Sequence, residues 1–223
     1  MKNNNNSKPT IFIFCWEFLN KAVVGSRRWD IFANEFFKKN YKVNIICKSY
    51  QRPLSNNYKY HLIKIPKYIK YNEPINSFLD KALWGVQKLY FNYRYKGANY
   101  HTSDIFKKKI VETLKNLSIL KNDIVIISVA PFKWSYFIIK YFNSQTNINP
   151  KIILDIRDKW IENKLSYFNG FSTKKLLEET KYQDYVFLNA SKIICVHNSD
   201  KDLYEKKYKR KEFINIINPS LPK

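Results

Sequence analysis

The fold class is decided by residues 123–156, DIVIISVAPFKWSYFIIKYFNSQTNINPKIILDI, which hold two short apolar runs with a helical pattern between them. Continuous apolar runs are typical of strands that are buried on both faces of a sheet. We therefore predict strands over 123–128 and 151–156 and a helix over 132–142. A strand, a helix and a second strand in succession favour a right-handed crossover within a parallel sheet.

The same alternation continues in both directions along the chain. Apolar runs predict further strands over 10–15, 42–48, 61–66, 192–197 and 213–217. Apolar residues at helical spacing predict helices over 26–39, 74–95, 103–117, 173–189 and 200–207. The sequence therefore predicts a Rossmann-like, doubly wound, mostly parallel sheet of six or seven strands with helices on both faces. Such sheets bind ligands beyond the carboxyl ends of their strands, where the strand order reverses.

The chain has 223 residues, of which 45% are hydrophobic, so its length and composition fit one globular domain. We expect a disordered tail over 1–9 and the domain itself over 10–217. The cysteines Cys15, Cys47 and Cys195 each lie in an apolar run, and the sequence has no C-x-x-C pair. This pattern indicates buried free thiols in a reducing cytoplasm rather than a metal site or a disulfide framework. Neither a signal peptide nor a membrane-spanning stretch is evident.

The net charge of +22 has two interpretations. A strongly basic chain favours polyanionic partners, which include nucleic acid, an anionic membrane and a phosphorylated substrate. The chain is also rich in Lys, Asn, Ile, Tyr and Phe, as an AT-rich genome would make it without any selection for a ligand. Because the charge is unevenly distributed, both interpretations stay open.

The loop after the first predicted strand is a candidate anion site. Gly25 lets the backbone approach a ligand closely, and Ser26 can cap the helix that follows. The start of a helix presents free N–H groups and the positive end of the helix dipole, to which Arg27 adds a charge. The alternative is a capped helix with solvated arginines.

Two further loops carry candidate ligand contacts. After the strand that ends at 128, Pro131 suits the first turn of a helix and Trp134 could touch a ligand, although an ordinary strand-to-helix turn explains both. After the strand over 192–197, Asn198 is a candidate contact. The neighbouring His197 is a lone histidine, which is more often structural.

The segment DIRDKW, residues 155–160, gives the sharpest candidate site. Alternating charges at the end of a buried strand are costly unless they pair or meet a substrate. Asp158 could orient a substrate hydroxyl or accept its proton, and Arg157 could hold a phosphate or pair with Asp155. Trp160 could stack on a sugar ring. The alternative is a structural Asp–Arg pair that pins the loop, and we expect that role for Asp155 while Asp158 and Arg27 face the cleft.

The order of these segments resembles the N-terminal domain of GT-B-fold glycosyltransferases of glycosyltransferase family 4. The resemblance rests on GSRRW at 25–29, on VNII at 43–46, on residues 123–132, on D-x-R-D-x-W at 155–160, and on the closing IINPS at 216–220. It covers nearly the whole chain. The last segment lacks the glycine and the aspartate that are usual in the family.

The resemblance implies an acceptor-binding half of a hexosyltransferase in bacterial surface polysaccharide synthesis. A second Rossmann-like domain or subunit would bind the nucleotide-sugar donor, with residues 218–223 starting the linker to it. No cofactor or metal is expected in this half, and the chain alone is expected to be inactive. The catalytic residue would be Asp158. The substrate-binding residues would be Gly25, Ser26, Arg27, Pro131, Trp134, Arg157, Trp160 and Asn198.

Acceptors of this family are often lipid-linked, so the resemblance implies a role at the membrane for the basic, aromatic stretch over 67–96. Interfacial helices combine an apolar face with lysines, and we expect contacts to an anionic inner membrane surface. The expected membrane contacts are Lys67, Lys70, Trp84 and Lys88. The alternative is a helix packed in the core. Rival functions are a basic module that binds nucleic acid or an anionic surface, and the non-catalytic subunit of a split transferase.

Overall fold

The structure is a computed structural model that describes residues 8–18, 26–50, 56–63, 102–130, 132–162 and 172–215, with six single positions between 78 and 89. The described strands are, in chain order, β1 (Ile11–Phe14), β2 (Glu17–Phe18), β3 (Val43–Cys47), β4 (Ser49–Tyr50), β5 (Lys59–Leu62), β6 (Ile124–Ser128), β7 (Lys151–Ile156), β8 (Lys192–Cys195) and β9 (Phe213–Asn215). The described helices are α1 (Ser26–Lys38), α2 (Thr102–Lys115), α3 (Phe132–Asn143), α4 (Thr173–Asn189) and α5 (Asn198–Tyr208).

Seven strands form one parallel sheet in the order β5-β3-β1-β6-β7-β8-β9. The central strand β1 pairs on one side with β3 and on the other with β6. From β1 the chain therefore winds first toward β5, and later returns to wind outward through β6 to β9. This topology confirms the predicted Rossmann-like, doubly wound sheet.

Helices cover both faces because a right-handed crossover changes face when the direction of winding changes. On one face, Trp29 and Ala33 of α1 pack against Ile11 and Ile13 of β1. The opposite face of the sheet packs against residues of α2, α3, α4 and α5 in the larger apolar cluster. The continuous apolar runs of β1 and β6 are almost fully buried, as strands between two helical layers require.

The strand order reverses between β1 and β6. The crossovers on the two sides of this point lie on opposite faces, so the loops that follow β1 and β6 diverge and leave a crevice at their carboxyl ends. A short second sheet of β2 and β4 extends beyond β1 and β3 at this edge. We call the edge formed by the ends of β1, β6, β7 and β8 the carboxyl edge.

Some element boundaries differ from the predictions. The edge strand β5 spans Lys59–Leu62, so it begins two residues before the strand predicted over 61–66, whose last three residues lie outside the described ones; its two inner residues are partly buried and its two end residues are exposed. The strand predicted over 192–197 ends at Cys195 in the structure, and the strand predicted over 213–217 is seen over Phe213–Asn215, with residues 216 and 217 outside the described ones. The small sheet of β2 and β4 was not predicted.

Several predicted segments lie largely or wholly outside the described residues. The tail over 1–9 is described only at Lys8 and Pro9, and the linker over 218–223 is not described. Of the helix predicted over 74–95, six single positions are described, and each has helical backbone. Cys15, Cys47 and Cys195 are free and buried, as predicted, and burial raises the pKa of the Cys15 thiol well above its ordinary value.

Candidate functional site at the carboxyl edge

A buried ion pair joins the start of α1 to the end of β7. Arg28 Nη2 donates to Asp155 Oδ1 at 2.7 Å, and the two side chains are 1% and 0% exposed. The pair brings together the loop after β1 and the segment after β7, which are more than a hundred residues apart in sequence. Asp155 is therefore positioned as a structural anchor, as its place at the end of an apolar run predicts.

The surroundings of this pair make it sensitive to perturbation. Burial raises the pKa of Asp155, while Arg28 and Arg157 act in the opposite direction. Arg28 Nε and Nη1 have no hydrogen-bond partner within the part of the chain that is described, although the guanidinium lies 5.0 Å from the Phe32 ring centroid. A buried guanidinium with a single strong partner depends heavily on that partner.

The segment that follows β7 is held by two further contacts. Lys159 Nζ lies 3.2 Å from Asp200 Oδ1 at the start of α5. The Ile161 N–H donates to Gln183 Oε1 of α4 at 2.9 Å. Each contact reaches a different helix, so residues 157–162 are fixed on the scaffold rather than free to move as an open loop.

Glu162 ends this segment in a polar network. Gln183 Nε2 donates to Glu162 Oε1 at 2.9 Å, and Lys207 Nζ approaches the same oxygen at 2.8 Å. Burial alone would raise the pKa of Glu162, but the hydrogen bonds from Lys207 and Gln183 outweigh it and lower the pKa. Tyr204 adds a hydroxyl contact to Oε2 at 3.2 Å. The network ties the segment to α4 and α5.

Asp158 is the exception within this pinned segment. Its side chain is exposed, and no hydrogen bond or ion pair joins it to any residue of the described chain. Its neighbour Arg157, in contrast, has two partners within the protein. Arg157 Nε lies 3.9 Å from Asp155 Oδ2, and the guanidinium lies 5.9 Å from the centroid of the Trp29 ring. The scaffold therefore presents Asp158 to solvent at the carboxyl edge as an unpaired carboxylate.

A second buried ion pair joins α3 to α4. Lys133 Nζ lies 3.4 Å from Glu179 Oε1, and the side chains are 3% and 2% exposed. Lys133 also lies 4.7 Å from the Tyr182 ring centroid. Burial raises the pKa of Glu179, while Lys133 opposes the shift. The Lys133 ammonium is therefore enclosed between the two helices.

Trp134 and Trp160 are also placed differently from the expectation that they contact a ligand. Both side chains are 0% exposed and belong to the larger apolar cluster. Trp134 Nε1 donates to the Ser128 carbonyl at 2.6 Å, so its polar atom is satisfied inside the protein. Neither ring has a face open to a sugar. Both tryptophans act as core residues beneath the carboxyl edge.

The remaining predicted site residues are partly described. Arg27 is exposed at the start of α1, beside the buried Arg28, and Ser26 is the first residue of that helix. Asn198 is exposed at the start of α5, whose N-cap His197 makes no side-chain capping bond. Predicted site residues outside the described residues are Gly25, Pro131, Lys67, Lys70, Trp84 and Lys88.

Sequence reasoning missed four members of the site architecture, namely Arg28, Lys133, Glu179 and Gln183. Their contacts join elements that are distant in the sequence, so no local spacing signals them. For Arg28 a partial signal existed, because Arg27 lies opposite the apolar stripe of the helix whereas Arg28, about 100° further round, lies at the edge of that stripe. The apolar neighbours Trp29 and Ala33 mark the inward face.

The comparisons with known proteins give no identification: no protein-family model matches the chain, and no curated protein matches it. Among the described residues, no group of three His, Cys, Asp or Glu side chains is placed to hold a metal ion. Within the same residues, none of the helices combines the length and the apolar character needed to cross a membrane.

Proposed function

We propose that this chain is the acceptor-binding half of a glycosyltransferase, which transfers a sugar from a nucleotide-sugar to a glycan or a lipid-linked acceptor. The donor would be held by a second Rossmann-like domain or subunit facing the carboxyl edge. The doubly wound sheet supports this proposal, because such sheets bind ligands at the point where their strand order reverses.

The observation that carries the proposal is the presentation of Asp158. In a chain with a net charge of +22, most carboxylates find a cation, yet Asp158 stays exposed and unpaired among the described residues. The segment around it is fixed by contacts to α4 and α5. A rigidly placed carboxylate without a protein partner suits a role toward a substrate hydroxyl.

In the proposed reaction, Asp158 accepts a hydrogen bond from the acceptor hydroxyl and orients its oxygen toward the anomeric carbon of the donor. The C–O bond to that oxygen forms as the bond from the anomeric carbon to the nucleoside diphosphate breaks, the diphosphate leaves with the bonding electron pair, and Asp158 takes up the hydroxyl proton. Arg27 and the start of α1 would hold an anionic group of the acceptor, because a helix start and a guanidinium both favour negative charge.

We also propose that the acceptor is reached at an anionic membrane surface. Four large apolar side chains at single described positions are strongly exposed, namely Phe78 (84%), Leu79 (73%), Val86 (66%) and Leu89 (70%). Their spacing places them on one side of a helix, and lysines occur among them in the sequence. An apolar face with basic neighbours suits the boundary between headgroups and acyl chains.

The charge also favours a second candidate function, a basic module that binds nucleic acid. Salt-sensitive binding of arbitrary oligonucleotides, without any effect of the chain on sugar transfer, would support it. We rank it second because its only support is net charge, whereas the transferase proposal also uses the topology and the pinned segment.

The test uses a strain that lacks the gene. Its membranes are supplied with the purified full chain, joined to or mixed with the donor-binding half, and with radiolabelled nucleotide-sugars, and the incorporated label is measured. We expect the wild-type chain to restore incorporation and Asp158→Asn to lower the rate by about 100-fold or more, since an acid–base contact is worth that much. Glu35→Gln, a change of an exposed carboxylate far along α1, should behave as wild type. Equal rates for Asp158→Asn and wild type would remove the basis of the proposal.

A further inference from the structure

A polar groove lies at the opposite edge of the sheet from the candidate site. Its volume is about 670 Å³, and its lining comes from the residues at the starts of β1, β3 and β5 and at the end of α2. A smaller groove adjoins it and shares His61 and Asn116. We call this edge the amino edge. The two edges lie at opposite ends of β1, about 10 Å apart at about 3.3 Å per residue, which makes the groove a separate place on the molecule.

An asparagine in the middle of an apolar strand forms the floor of this groove. In β3, Asn44 is the one polar residue among Val43, Ile45, Ile46 and Cys47, and it is 9% exposed. Its Oδ1 lies 3.0 Å from His61 Nε2 on the neighbouring strand β5. An aliphatic residue would pack better on this face, so the polar side chain needs an explanation.

The pair is only half satisfied. Burial and the nearby Lys59 lower the pKa of His61, which favours the neutral ring. With Asn44 offering its oxygen, His61 Nε2 donates the hydrogen bond, and Asn44 Nδ2 keeps two N–H donors. Within the described residues, no hydrogen bond occupies these donors, and they border the groove. The floor of the groove therefore offers amide donors from a fixed position.

The rest of the lining is basic and amide-rich. The larger groove is bordered by Lys42 and Lys59, and no acidic side chain lines it. Both lysines are exposed, and neither makes an ion pair with any described residue. Asparagines at 56, 57 and 116 add amides, and Phe37, 39% exposed, offers part of an aromatic ring.

We propose that this groove binds an acidic oligosaccharide through Asn44 Nδ2, Lys42 and Lys59. Sugar hydroxyls both donate and accept hydrogen bonds, and amides match both roles. The two ammonium groups suit a carboxylate or phosphate on the sugar. A single-stranded nucleic acid fits less well, because it would use several exposed rings for successive bases.

The inference does not depend on the proposed transferase activity, because the groove lies at the other edge of the sheet. Binding can be measured without a nucleotide-sugar. A failure of sugar transfer would leave this proposal intact, and a failure of oligosaccharide binding would leave the transferase proposal intact.

Isothermal titration calorimetry on the full chain tests the groove with three probes, namely a galacturonic acid hexasaccharide, maltohexaose and a thymidine hexanucleotide. We expect the acidic hexasaccharide to bind more tightly than either of the others. Asn44→Asp should weaken it by about 10-fold or more, because the variant keeps an oxygen for His61 but replaces the amide donors by a negative charge.

A second pair of variants, at exposed lysines, tests the proposal even if the Asn44 variant does not fold. Lys59→Glu should weaken binding to a similar extent, while Lys174→Glu, a matched charge reversal at an exposed lysine of α4, should not change it. The proposal is overturned if the acidic hexasaccharide does not bind, if the hexanucleotide binds more tightly at the same residues, or if Lys59→Glu and Lys174→Glu have equal effects.

Discussion

Removing the Asp155 carboxylate tests the buried ion pair that joins Arg28 of α1 to Asp155 of β7. In an Asp155→Ala variant, Arg28 would stay 1% exposed and lose its 2.7 Å partner, while its Nε and Nη1 already lack partners among the described residues. Leaving one partner of a buried pair unpaired typically lowers the free energy of unfolding by about 3–5 kcal/mol. For a domain of this size, that corresponds to a fall in Tm of roughly 6–20 °C.

The assay is urea denaturation followed by tryptophan fluorescence and far-UV circular dichroism. Replacing both partners, with Arg28→Met and Asp155→Leu together, should recover much of the loss, because no charge is then left buried. Glu35→Ala removes an exposed ion pair with Lys38 and should leave the unfolding curve unchanged. Our reasoning is refuted if Asp155→Ala loses less than about 1 kcal/mol, or if the double variant is as unstable as the two single losses combined.

Three further predictions use other parts of the structure. Burial and a neighbouring lysine lower the pKa of His61 from its ordinary 6.5; the unfolded chain therefore binds the proton more readily, and the free energy of unfolding should fall as the pH drops below about 6.5. His61→Gln should flatten this part of the pH profile, and an unchanged slope would contradict the assignment. Gln183→Leu should lower the free energy of unfolding in urea by about 1–3 kcal/mol, because it removes the acceptor of the part-buried Ile161 N–H and one of the donors to Glu162; a curve identical to wild type would disprove it. Cys15, Cys47 and Cys195 are buried and free, so a thiol reagent such as Ellman's should react with them only after denaturation; fast labelling of the native chain would be inconsistent with their burial.

The fold was predictable because its central strands carry their own signal. Residues 11–14 and 124–127 are apolar without interruption, and such a run is typical of a strand buried between two helical layers. The edge strand β5 gave no such signal, since its residues are only partly buried. Because apolar residues occur within 61–66, the predicted strand began at residue 61, two residues after the start of β5.

The site was predictable in its charges but not in its aromatic residues. The different roles of Asp155 and Asp158 could be predicted from their positions. Asp155 lies near the end of the buried strand β7, whereas Asp158 lies three residues further along the chain, beyond the strand. Trp134 and Trp160 follow strands in the same way, and a large ring after a strand can cover the core or face the ligand with equal local spacing. Their surroundings come from distant parts of the sequence, because Trp134 packs against Phe14 and Trp16 and the backbone of Trp160 contacts Tyr204 of α5.

The position of β1 between β3 and β6 has a consequence for synthesis of the chain. Its pairing with β6 joins residues that are 113 positions apart, as the contact from Thr10 to Asp123 shows. At a translation rate of about 5–20 residues per second, β6 emerges roughly 6–20 s after β1. During that interval, one side of an apolar IFIF strand has no partner. The nascent chain would therefore be prone to aggregate at this edge, and a chaperone that shields its first strand should raise the yield of folded protein.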